Sequence, residues 1–151
     1  MTRVMFICHG NICRSPMAEF VLKAIVKDRG MSDNFEIASS ATSREEIGND
    51  VHRGTKEILR RNGIPFSRRE ARQITKADYL HYDYLICMDY SNIRNLKRII
   101  GEDTDKKVCT LLSFANMNRD IADPWYTGNF DETYRDIVIG CTSFLDYLDT
   151  I

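Results

Sequence analysis

The chain has 151 residues, of which 21 are Lys or Arg and 22 are Asp or Glu, for a formal net charge of −1. That length suits one domain over 1–151 with one substantial core. The interspersed charges give no basic face for nucleic acid or an anionic membrane, and Arg60-Arg61 and Arg68-Arg69 are short pairs expected on solvated faces. No stretch approaches the ~20 apolar residues of a membrane span, and the apolar run after Met1-Thr2-Arg3 is too short for a signal peptide. Five cysteines without framework spacing argue for a reducing compartment, so a cytoplasmic location is expected.

The first element is an apolar run over 4–7, which reads as a short buried strand. Directly after it come Cys8, His9, Gly10, Asn11, Ile12, Cys13, Arg14, Ser15 and Pro16, and then a helical pattern over 16–29 closed by Gly30. A strand-to-helix turn leaves unpartnered N–H groups at the positive end of the helix dipole. Gly10 and Asn11 tolerate positive φ, so those groups can curl around one anion. Ser15 suits the N-cap and Pro16 the first helical position. Arg14 adds a planar fork able to hold two oxygens of a phosphoryl group. Cys8 stands at the C-terminal end of the strand, where open α/β sheets place ligands. In that field its thiol is expected to titrate in the ~3.5–7.5 range of activated cysteines. The competing reading leaves Cys8 and Cys13 as inert core cysteines.

Further strand-like runs occur at 35–38, 84–87 and 108–111, each followed by a helical pattern. That alternation predicts an α/β fold: a four-stranded parallel sheet flanked by helices on both faces. The helices read as 51–62 closed by Gly63, a short one from Thr75, 91–100 closed by Gly101, and 131–148. In the last, Tyr134, Ile137, Val138, Cys141, Leu145 and Leu148 form one apolar stripe, which makes Cys141 a core residue. Cys87 and Cys109 lie in strand-like runs and read as core too. The segment 113–129 lacks periodicity and carries Asp123-Pro124-Trp125-Tyr126, so it reads as a functional loop or as a turn with its aromatics tucked inward.

No metal site is expected. His9, His52 and His81 have no mutual ligand spacing, and no second Cys/His pair follows Cys8 and Cys13. His81 reads as a surface turn residue; His9 either tunes Cys8 or faces solvent. The GxxxxGK[ST] and GxGxxG nucleotide loops are absent.

The segment from Ile7 to Glu19 and the distant Asp123-Pro124-Trp125-Tyr126 together resemble the low-molecular-weight protein tyrosine phosphatase family. Ser39-Ser40-Ala41, Ala71-Arg72-Gln73-Ile74-Thr75 and Cys87-Met88-Asp89-Tyr90-Ser91-Asn92 resemble family segments at the expected intervals. The resemblance implies a phosphate-binding loop between the first strand and first helix, tyrosine-phosphorylated protein substrates, and neither metal nor cofactor. Cys8 then resembles the nucleophile, Arg14 the phosphate clamp and Asp123 the general acid. Asn11 resembles the residue that holds the loop's strained turn through hydrogen bonds reaching Ser39. Ser15 would steady the Cys8 thiolate, and Cys13 resembles the cysteine that pairs reversibly with it. His9, Gly10, Asn11, Ile12, Cys13, Ser15, Trp125 and Tyr126 are the expected substrate-binding residues. Asp123 must then hold a proton near neutrality against an ordinary pKa of ~3.9, with burial against Trp125 and Tyr126 and a neighbouring dianion expected to raise it.

Two positions depart from the family pattern. Arg69 stands where a histidine is usual, and Arg44-Glu45-Glu46-Ile47 occupies a loop that commonly carries an aromatic. Rival readings are a protein-arginine phosphatase, a thiol-dependent arsenate reductase and a phosphotyrosine-binding module. Against the first, the aliphatic Ile12 stands where those enzymes carry threonine. The second needs a further cysteine pair, and the stretch after Cys87 supplies none; the third needs neither Cys8 nor Asp123. A monomer is expected.

Overall fold

A computed structural model describes residues 1–151. Four parallel strands form one sheet: β1 (Thr2–Cys8), β2 (Phe35–Ala41), β3 (Tyr84–Cys87) and β4 (Val108–Thr110), in the order β2-β1-β3-β4. The helices are α1 (Arg14–Asp28), α2 (Arg53–Arg61), α3 (Lys76–His81), α4 (Tyr90–Ile100), α5 (Pro124–Thr127) and α6 (Phe130–Asp149). Short 3₁₀ turns cover Ser32–Asn34 and Leu111–Ala115.

Both faces of the sheet are covered, because a strand buried on two sides alternates its side chains between two cores. Val4, Phe6 and Cys8 of β1 join a core with Met17, Val21, Ile137, Cys141 and Phe144 from α1 and α6. Met5 and Ile7 join Tyr79 of α3 and Leu96 of α4 on the other side. The predicted stripe of α6 behaves accordingly: Ile137, Cys141 and Leu145 are buried, with Tyr134, Val138 and Leu148 packed partly against them.

β1 pairs with β2 on one side and β3 on the other. The chain therefore leaves β1 at the point where the strand order reverses, the crevice in which open α/β sheets bind ligands. Gly30, Gly63 and Gly101 all take positive φ at the helix ends, as expected of helix-stopping glycines.

Three local expectations are corrected. Residue 13, not Ser15, occupies the N-cap of α1, and no side chain caps that end. Ser15 and Pro16 fall inside the first turn because the loop closes earlier and hands its amides to the sulfur of Cys8. Gly10 does not adopt positive φ; Asn11 alone in the loop does, at 58°. Cys109 is only half-buried, since β4 is the edge strand and has only three residues, whereas Cys87 and Cys141 are fully buried.

Candidate active site

The loop after β1 folds around the sulfur of Cys8. The backbone N–H groups of Asn11 and Ser15 point at it from 3.3 and 3.4 Å, and the Ser15 hydroxyl lies 3.0 Å away. Asn11 makes this possible by taking the left-handed conformation, which asparagine tolerates better than most residues.

Its side chain is fully committed. Asn11 Oδ1 accepts from the Arg72 N–H at 3.2 Å, which fixes the amide's orientation. Asn11 Nδ2 donates to Ser15 Oγ at 2.8 Å and to Ser39 Oγ at 2.9 Å. Ser39 in turn donates to Glu19 Oε1 at 2.6 Å. The acceptor-only carboxylate at one end sets the polarity of the chain, so Ser15 can give its own hydrogen to Cys8. Glu19 is thus the terminus of the network under the loop.

Arg69, expected on a solvated face, is instead half-buried and supports the same loop from the segment that runs beside the end of β2. Its guanidinium donates to the backbone oxygen of Asn11 and, at 3.3 Å, to that of Asn49. Burial lowers its pKa from the usual value, opposed by the charges of Glu19, Cys8 and Asp50.

Arg14 projects from the start of α1 and its side chain is 3% exposed. One guanidinium nitrogen donates to Asp89 Oδ2 at 2.7 Å and to the Ile121 carbonyl at 2.9 Å; the other reaches Asp123 Oδ2 at 3.3 Å. Burial opposes its charge, but Cys8, Asp89 and Asp123 outweigh that and raise its pKa. Asp89 is held in turn as the N-cap of α4, with Asn92 closing a capping box. In the sequence Asp89 stands only within a family-like segment; its local cue is the Asp-x-x-Asn pattern before a helix, and its partner lies 75 residues away.

Asp123 caps α5, accepting the Trp125 N–H at 3.1 Å, with Pro124 at the first helical position. The expected burial of Asp123 against Trp125 and Tyr126 is not found. Those rings are 57% and 83% exposed, because a helix of only four residues cannot turn both inward. They form a wall of the cleft instead.

The cleft is lined by Cys8, His9, Gly10, Ile12, Cys13, Arg14, Asp123, Trp125 and Tyr126, joined by Glu45 and Glu46. Asn11 and Ser15 lie beneath it, buried as supports of the loop. Glu45 meets His9 across the mouth at 2.9 Å. Cys13 is buried, and its thiol is pushed up to about 12 by desolvation first and by the Cys8 and Asp123 charges next. No group of three or more His, Cys, Asp or Glu side chains is placed to hold a metal ion.

An α/β domain with a cysteine in an anion-cradling loop at its switch point, a buried arginine beside it and a carboxylate above it defines the class of cysteine-dependent phosphatases. The family model for low molecular weight phosphotyrosine protein phosphatases matches residues 3–150. The low molecular weight protein-tyrosine-phosphatase YfkJ of Bacillus subtilis is 40% identical over 147 residues, covering 96% of this chain and 94% of that protein. The human low molecular weight phosphotyrosine protein phosphatase is 41% identical over 148 residues, covering 95% and 93%. The crystal structure of YfkJ superposes with a TM-score of 0.95 at 38% identity, covering 99% of this chain and 96% of that one. The chain belongs to the low molecular weight phosphotyrosine protein phosphatase family, and it is an enzyme of that phosphatase class.

Proposed function

We propose that this protein hydrolyses phosphotyrosine in protein substrates through a cysteinyl-phosphate intermediate, with Cys8 as nucleophile, Arg14 as phosphate clamp and Asp123 as general acid and base. The observation that carries the reading is the Cys8 sulfur at the cleft floor, met by two backbone N–H groups and a hydroxyl. These donors spread the charge of a thiolate and steady it again as a leaving group in the second step.

In the first step Cys8 attacks phosphorus in line, while loop N–H groups and the fork of Arg14 hold the equatorial oxygens. Arg14 exchanges its 3.3 Å contact with Asp123 for the phosphate, which frees the carboxyl to face the leaving oxygen. Asp123 gives that oxygen a proton, and tyrosine departs. In the second step Asp123 takes a proton from water as it attacks the cysteinyl-phosphate, and Cys8 leaves as thiolate. Ile12, Trp125 and Tyr126 give the cleft an apolar wall that suits an aromatic ring over a guanidinium.

We propose a reducing, cytoplasmic setting, in which Cys13 protects the nucleophile from irreversible oxidation. The decisive experiment compares hydrolysis of phosphotyrosine, phosphoserine and phosphoarginine peptides by the wild type and Cys8→Ser. Phosphotyrosine is expected to be preferred, with Cys8→Ser inactive yet still binding inorganic phosphate. Residual turnover by Cys8→Ser on an aryl phosphate would overturn the mechanism. Faster phosphoarginine cleavage would overturn the substrate.

A further inference from the structure

We propose that His52 is a positioning residue for Asp123, acting through Trp125. The proposal rests on the assignment of Asp123 as the acid.

The need for such a residue follows from how little else holds α5. This helix has four residues, and Trp125 and Tyr126 stand largely in solvent. Its anchors are the buried Pro124 and a bond from Thr133 Oγ1 to the Ala122 carbonyl at 2.9 Å. Asp123 itself is tied to α5 by accepting the Trp125 N–H, and its other oxygen meets Arg14 at 3.3 Å, the contact exchanged for phosphate when substrate binds. Once Arg14 holds the phosphate, movement of Trp125 moves the carboxylate.

His52 meets Trp125 from outside α5. The two rings pack edge-to-face with centroids 5.7 Å apart at 79°. On its other side the imidazole stacks on Phe130, the first residue of α6, at 5.3 Å and 17°. Such pairs prefer these two geometries and add to simple burial. The imidazole is not free to turn, since Nδ1 accepts the Gly54 N–H at 2.9 Å as the N-cap of α2. Its backbone N–H donates to the Ile12 carbonyl at 2.8 Å, inside the loop that carries Cys8. One residue thus joins the nucleophile's loop, the start of α2 and the segment bearing the acid. Gly54 completes the arrangement: a Cβ there would sit 2.4–2.7 Å from the Phe130 ring. Phe130 can stack on His52 only because position 54 has no side chain.

The cap and the ring can be separated. His52→Asn keeps an acceptor for the Gly54 N–H and loses the ring; His52→Phe keeps a ring and loses the cap. The readout is kcat/KM across aryl phosphates whose leaving groups range from phenol to dinitrophenol, because only poor leaving groups need the proton. His52→Asn is expected to lose about 10- to 100-fold with phenyl phosphate and little with dinitrophenyl phosphate, at near wild-type melting temperature. His52→Phe is expected to melt about 2–8 °C lower while keeping the wild-type dependence on leaving group. Uniform or absent losses in His52→Asn, or the selective loss appearing in His52→Phe, would overturn the proposal. Asp123→Asn runs beside them. If its losses are flat across the series, the assignment of the acid fails, and the proposal falls with it for that separate reason.

Discussion

At the scale of single residues, the site is built from side chains that each satisfy more than one neighbour. Arg69 is the clearest case, since its guanidinium binds two backbone oxygens, one in the nucleophile's loop and one before α2. A charged donor lost from a buried acceptor costs about 1.5–3 kcal/mol. Arg69→Met is therefore expected to lower the melting temperature and weaken inorganic phosphate as a competitive inhibitor about tenfold. Arg69→His, which restores the residue usual in the family, should recover much of that affinity; inhibition constants of the two variants decide it. Cys13 gives a second expectation. Mild peroxide is expected to convert the Cys8 thiolate to sulfenic acid, from which the Cys13 thiol would displace water to form a disulfide. Burial raises the Cys13 pKa, which slows that capture at neutral pH, while the part of the rise due to the Cys8 charge is lifted once the sulfenic acid forms. In Cys13→Ala the sulfenic acid stays open to a second peroxide, which takes it to sulfinic acid that dithiothreitol does not reduce. Dithiothreitol should therefore restore the peroxide-treated wild type but largely fail with Cys13→Ala, and mass spectrometry should find the Cys8–Cys13 link in the former and Cys8 sulfinic acid in the latter. Cys8, Arg14 and Asp123 were legible because they stand in local patterns: a cysteine and arginine six apart after a strand, and an Asp-Pro before aromatics. Asp89, Glu19 and Arg69 were not. Asp89 meets Arg14 across 75 residues, Glu19 meets Ser39 across 20, and Arg69 meets Asn11 across 58. No spacing rule announces such contacts.

At the scale of elements, the apolar runs and terminal glycines placed nearly every strand and helix, because both faces of the sheet are dry and α1, α2, α4 and α5 each end at a glycine of positive φ. The failures came where the backbone serves the site. The start of α1 belongs to the loop around Cys8, so Ser15 supports the sulfur instead of capping. The helix α5 is four residues long, below the reach of any 3.6-residue periodicity. Gly140 is another element-scale device that pattern reading passes over. It sits mid-helix in α6, where glycine costs about 1 kcal/mol relative to alanine. A Cβ at that position would lie 2.4 Å from Leu111 Cγ and 3.0 Å from both its methyl carbons. Overpacking of that kind costs about 1–3 kcal/mol, and the clash involves the branch point of a fully buried side chain. The clash is thus expected to outweigh the helix gain, and Gly140→Ala should lower the melting temperature. A rise would show that α6 and the Leu111 turn can slide apart freely.

At the scale of the whole molecule, carboxylates stitch the connections around the sheet, and they set the response to acid. Asp78 takes both arms of Arg72 and closes the capping box of α3, while Asp103 accepts from the Tyr79 hydroxyl and the Lys107 and Val108 N–H groups ahead of the edge strand β4. In each, burial favours the neutral form, but the hydrogen bonds outweigh it and lower the pKa. Asp50 shows the effect most strongly. Lys56 Nζ lies 2.6 Å from its carboxylate, and the Val51 and Arg69 N–H groups donate at 2.7 and 3.1 Å. Desolvation raises its pKa, yet these contacts win and bring it down to about 2. A carboxylate depressed below its unfolded value of ~3.9 adds stability that is complete above that value and is lost as pH falls toward the folded pKa. Asp50→Asn keeps the size and one acceptor but removes the charge. Relative to wild type it should be destabilised by a constant amount above about pH 5, and the gap should narrow steadily between about pH 4 and 2. Urea unfolding of both proteins at a series of pH values measures that gap. A difference that stays constant down to pH 2 would mean the Asp50 contacts act through shape alone. One that widens in acid would reverse the sign of the argument. The same residue joins the start of α2 to the backbone of Arg69, whose guanidinium holds the nucleophile's loop. Acid weakening at Asp50 should therefore reach the site before global unfolding, and inorganic phosphate binding by the Asp50→Asn variant at neutral pH should already show part of that loss.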